Sequence, residues 1–199
     1  MSYYTRVLST SQEVVPYSAL VKALSGFKAT LTVEAGDEGS WEQLVLRHSD
    51  GREIAAIERN PVIDGALGSE ELDEFREKME DARPSSAAAW LADYFERVRC
   101  IYACQLLSGT DHLNGWEIFG AIRNGLWGFA PSVIQADAEG FSNEDGYHIL
   151  WQFSDSVSGP WWMGVLQDGD WKHFQMELGD HQHREAFLQG EIPKGVKTA

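Results

Sequence analysis

Residues 85–107 read SSAAAWLADYFERVRCIYACQLL, and the period given to their apolar positions decides how the rest of the chain is organised. Leu91, Tyr94, Phe95, Val98, Ile101, Tyr102 and Leu106 recur at helical spacing, so the stretch reads as one long central helix. ARPSS at 82–86 opens it, and Ser108 and Gly109 close it. The only two cysteines, Cys100 and Cys104, then stand one turn apart on that helix, about 6 Å from each other. Their bonds would be badly directed for a bridge, so both are expected reduced. A redox or metal pair would call for two intervening residues or further ligands nearby.

On the N-terminal side, Pro16 opens a short helix carrying Leu20, Val21 and Leu24, and Gly26 stops it. Three runs with strand character follow: FKATLTVEA (27–35), WEQLVLRH (41–48) and EIAAIER (53–59). In the first, Phe27, Ala29, Leu31 and Val33 alternate with polar residues, the pattern of a sheet with one buried face. Ser-Asp-Gly at 49–51 is a hairpin signal, so the three read as an antiparallel meander. Ser69 caps a further helix whose first turn holds Glu70, Glu71, Asp73 and Glu74, acids suited to the positive end of its dipole.

On the C-terminal side, a weaker helical run spans 113–127 and then the period changes to two. IQAD (134–137), YHILWQF (147–153), WWMGVLQ (161–167) and WKHFQMEL (171–178) read as strands, and HREAFLQG (183–190) as a closing helix. The fold class is therefore α+β: an N-terminal helix plus a three-stranded antiparallel meander, the long central helix, and a C-terminal tryptophan-rich antiparallel sheet of three to four strands. Residues 1–82 form the first lobe and 83–199 the second, or the two pack as one compact domain.

Composition bounds the function classes. With 199 residues, 43% hydrophobic and 24% charged, the chain can bury a sizeable core unaided. It shows neither a secretory leader nor eighteen consecutive apolar residues, so the expectation is a cytoplasmic protein without a membrane partner. Sixteen Lys and Arg against thirty-one Asp and Glu give a net charge of −15, which argues against a nucleic-acid partner. No Lys or Arg occurs between Arg123 and Lys172, whereas Asp137, Glu139, Glu144, Asp145, Asp155, Asp168 and Asp170 all do. Such a segment raises a negative potential that draws a basic protein partner, unless the acids simply solvate loops.

Alternation separates the faces of the C-terminal strands. Trp161, Met163 and Val165 oppose Trp162, Gly164 and Leu166, so the adjacent tryptophans point to opposite sides of one ribbon. Trp171, His173, Gln175 and Glu177 form the mixed side of the last strand, and Phe174, Met176 and Leu178 its core side. Tyr147, Ile149, Trp151 and Phe153 are assigned to the core, and His148 and Gln152 to the mixed side. The expected recognition surface thus holds His148, Gln152, Trp162, Trp171, His173, Gln175 and Glu177, with Asp137 and Glu139 nearby and Gly164 leaving a hollow. The competing expectation is that a helix, residues 113–127 for instance, covers this face and buries the indoles.

No nucleophile elbow, phosphate loop or H-E-x-x-H is present, so no catalytic residue is assigned and neither a metal site nor a cofactor is expected. His181 and His183, or Asp137, Glu139 and Glu144, have spacings too common to specify an ion. The expected function is noncatalytic binding of a basic protein partner through the second half. By analogy of charge alone, it would act as an inhibitor or immunity protein does. The alternative is a small hydrolase or metal-dependent enzyme using His148, His173 and Glu177 on the mixed face.

Overall fold

The chain folds into far more sheet than the sequence suggests. The computed structural model describes residues 3–199, and among these are eleven strands and five α-helices. The chain up to Ser69 together with Val98–Ser132 forms one compact unit, and Glu70–Arg97 with Val133–Ala199 forms another.

The long central helix does not exist. Helix α3 spans Ser85–Phe95 and stops, and Cys100–Leu106 is strand β5. The reason is burial of both faces: the first five residues of β5, which pairs with β1 (Tyr3–Ser9) and β4 (Glu53–Pro61), are all buried, whichever face they point to. A strand buried on both faces reads as a continuous apolar run, and its Ile101, Tyr102 and Cys104 satisfy a helical template as readily as an extended one. Cys100 and Cys104 are consequently four residues apart on an extended chain, about 13 Å, and both thiols are free and buried.

The three expected meander strands are β2 (Ala29–Ala35), β3 (Gln43–His48) and β4, but they are part of a larger antiparallel arrangement ordered β1-β5-β4-β3-β2. Leu44, Leu46, Ile54 and Ile57 are buried, and Trp41 is wholly enclosed, its indole N–H donating to the Val15 carbonyl at 2.8 Å. Helices α1 (Tyr17–Ala23) and α4 (Gly115–Trp127) pack on each other in this unit.

In the second unit the strand order is β11-β10-β9-β8-β7-β6. Strands β6 (Ser132–Ala136), β8 (His148–Trp151), β9 (Pro160–Gln167) and β10 (Asp170–Glu177) were expected; β7 (Gly140–Ser142) and β11 (Lys197–Thr198) were not. Nor is the arrangement wholly antiparallel, because β8 and β9 run parallel. Met163, Val165, Phe174, Met176 and Leu178 form the core of one face, closed by Phe187 of α5 (His181–Leu188). Helix α2 (Leu67–Lys78) brings Phe75 against Phe95 and Phe141, with ring centroids 6.4 and 5.5 Å away. Among the described residues no helix is long and apolar enough to cross a membrane.

Candidate functional site

The tight turn between β9 and β10 pairs Gln167 with Asp170, which sets Gly164 opposite His173, Trp162 opposite Gln175 and Trp161 opposite Met176. Directly paired residues share a face. Trp162, Gly164, His173 and Gln175 therefore lie together, and Trp161 lies on the core face with Met163 and Phe174. Neither indole is sealed inside: Trp161 is 40% and Trp162 36% exposed, and Trp161 packs edge-on against Phe153 at 5.6 Å.

The register between β8 and β9 places His148 opposite Met163, on the core face, and this corrects the assignment of His148 to the mixed surface. Its ring is 2% exposed, lies 4.7 Å from Phe153, and its Nε2 has no hydrogen-bond partner. Burial drives its pKa down from 6.5 to about 4 against the pull of hydrogen bonds to the Glu139 and Leu150 backbone, so the imidazole is neutral at pH 7. Tyr147 and Ile149 do lie together over Gly164, but Trp151 and Phe153 pack against the Met163 core beside His148, so the alternation expected over 147–153 does not hold to its end. Which set joins which neighbour depends on the register of a parallel partner, and periodicity does not carry that.

Tyr147 takes the place expected for His148. Its ring stacks on His173 with centroids 3.6 Å apart and planes 5° from parallel, while Trp162 meets Tyr147 edge-on at 6.0 Å. The two stacked rings, one from the residue just before β8 and one from β10, meet above Gly164. A Cβ on Gly164 would sit 3.3–3.4 Å from Ile149, Tyr147 and His173, so the missing side chain makes room for the stack. The hollow expected over Gly164 is thus filled. Asp145 Oδ2 lies 3.9 Å from His173 Nε2. Desolvation lowers the His173 pKa, with Asp145 opposing, so this ring too is uncharged near neutrality.

The remaining candidates disperse. A helix does cover part of the mixed face, and it is α3: Trp90 packs edge-on against Trp171 at 5.2 Å. Gln152 and Glu139 are tied to each other and not to the Trp162 rings: the Gln152 N–H donates to the Glu139 carbonyl at 2.8 Å, and Gly140 pairs with Trp151. The Glu177 carboxylate accepts from the backbone N–H groups of Gly159 and Gly179, so it is occupied in ordering a loop. His148, His173 and Glu177 do not converge on one pocket. Of the acids in the cation-free segment, Asp155 pairs with Arg184 at 2.9 Å and Asp170 with Lys172 at 3.5 Å.

Sequence reasoning also missed a cavity of about 400 Å³ in the first unit, lined by Phe27, Lys28, His48, Asp50, His112 and Ile118 among others. Gly109 approaches the Glu53 backbone so closely that a Cβ would lie 2.4 Å from its carbonyl oxygen, and this brings the Gly109 carbonyl to 2.8 Å from His48 Nε2. Nε2 therefore donates to that carbonyl, and His112 meets the same ring edge-on at 5.6 Å. Nothing in the sequence links His48, at a strand end, to His112, sixty-four residues on in a loop. Among the described residues no three His, Cys, Asp or Glu side chains are placed to hold a metal ion.

What remains as a site is the open part of the mixed face: Trp162, Tyr147, His173 and Gln175, with Asp145 at its rim. Comparison with known proteins returned no matching family model, no matching curated protein and no matching solved structure.

Proposed function

We propose that the protein is a noncatalytic binding protein that recognises a basic protein partner through its second half. The observation that carries this reading is Trp162, 36% exposed beside the Tyr147–His173 stack. A large indole left in water next to preorganised rings is the composition of an interface anchor, since aromatic side chains supply contact area at small entropic cost. The net charge of −15 and the exposed Asp145 beside the His173 ring support a cationic partner and fast, steered association.

The test compares two neighbouring indoles on opposite faces. A basic partner captured with the wild-type chain loses on the order of thirtyfold in affinity to Trp162→Ala, as a central anchor does at about 2 kcal/mol. Trp161→Ala, on the other face, leaves it within about threefold. Equal effects of the two substitutions, or none from Trp162→Ala, would remove the reading.

A further inference from the structure

Among the described residues, the open face ends at an edge of β10 that β11 pairs in part. Strand β10 is eight residues long, yet β11 pairs with it only at Phe174 and Gln175. The Ala199 N–H donates to the His173 carbonyl at 3.1 Å, which fixes the backbone groups of Trp171, His173 and Gln175 as those facing the edge, since groups on a strand alternate between its two neighbours. Among the described residues no strand continues β11 alongside Trp171. Lys197 stands opposite Gln175, on the Trp162 face, and holds its ammonium 5.8 Å from the centre of the Trp162 ring. Residues 197–199 are exposed, and of these only Lys197 and Thr198 form strand β11.

We propose that this edge of β10 is where the partner binds, as an added antiparallel strand with cations at alternate positions, and that Lys197–Ala199 is its intramolecular stand-in. The inference rests on the binding function above and names the partner's chemistry and mode. Main-chain hydrogen bonds along β10 give such a segment affinity, and alternate side chains give it selectivity. In the register of β11, one partner residue falls opposite Gln175 and places a cation over Trp162, where Lys197 now sits. The next residue on that face falls opposite His173, the position of Ala199, within reach of Asp145, and the one after that falls opposite Trp171. The segment recognised therefore has lysine or arginine at every second position and small or β-branched residues between. A continuous basic helix does not fit, because its cations do not repeat at a spacing of two.

The probe is an eight-residue peptide alternating lysine with threonine, together with its glutamate counterpart. Both are added to the full chain and to full-chain Lys197→Pro, which takes the ammonium off Trp162 and one donor out of the ladder while leaving Val196 in place. Expected are binding of the lysine peptide with slowed amide exchange at Trp171 and His173, affinity at least about threefold higher for Lys197→Pro, and no binding of the glutamate peptide. A strong loss of affinity on Asp145→Asn supports the second cation position. The proposal is overturned if the lysine peptide leaves exchange at Trp171 and His173 unchanged, which would mean adhesion by charge alone, or if Lys197→Pro binds no better than the wild type. If that happens while Trp162→Ala still abolishes capture of a basic partner, strand addition is wrong and the binding function stands. If the peptide behaves as expected and Trp162→Ala leaves capture intact, the edge binds strands but the captured partner uses another surface.

Discussion

His148 allows the packing of the second unit to be tested by pH. Its imidazole is 2% exposed with its Nε2 unpartnered, and burial pushes its pKa from 6.5 to about 4. Because the folded value is depressed, the unfolded chain takes up the proton first. The stability this group contributes is therefore complete above pH 6.5, declines as pH falls from 6.5 towards 4, and changes no further below that. At ~1.4 kcal/mol per pH unit, the interval from 6.5 to about 4 corresponds to about 3 kcal/mol, a large share of the 5–15 kcal/mol that typically separates folded from unfolded chains. Other groups titrate over the same range, so the informative quantity is a difference. Urea unfolding of the wild type and of His148→Gln, followed at several pH values between 7.5 and 4, removes the common background. The wild type loses about 3 kcal/mol more than His148→Gln over this range. The His148 ring resonances meanwhile stay in their neutral position down to pH 5. Parallel pH profiles for the two proteins, or a ring that titrates near 6.5, would mean that His148 is solvated and that the β8–β9 register is wrong.

Three further outcomes follow from the packing. Gly164→Ala makes Ile149, Tyr147 and His173 give way slightly, whereas Gly164→Val forces Tyr147 and His173 apart and costs about 1–3 kcal/mol in thermal or urea melts, with a changed near-ultraviolet aromatic signal. Trp41→Phe leaves the buried Val15 carbonyl without its 2.8 Å donor and loses about 1–3 kcal/mol in urea unfolding, although the apolar volume is largely kept. Burial raises the thiols of Cys100 and Cys104 to about 11 and about 12, so neither is alkylated in the native chain at pH 8 over a time in which both react in urea.

How much of this was legible depends on which residues carried the signal. The opposite directions of Trp161 and Trp162, and the company Trp162 keeps with His173 and Gln175, follow from strict alternation in two strands joined by a tight turn, where periodicity and register coincide. The exchange of Tyr147 for His148 was not legible, because β8 meets β9 across a crossover and its register is set by tertiary packing. Strand β5 was taken for helix since both of its faces are buried and Phe95, where α3 ends, is followed by no glycine or proline. Strands β7 and β11, of three and two residues, are too short to show a period. The His48 cavity is assembled from positions far apart in the chain, and no local pattern marks it.

The decisive experiment on the acidic face is the affinity of a captured basic partner measured from about 0.05 to 0.5 M salt, a range over which the screening length shrinks to a few ångströms. If carboxylates such as Asp145 steer a cationic strand onto Trp162, affinity falls steadily with salt and Trp162→Ala is weaker at every concentration. An affinity that stays flat across the range, with Trp162→Ala indistinguishable from the wild type, would contradict it.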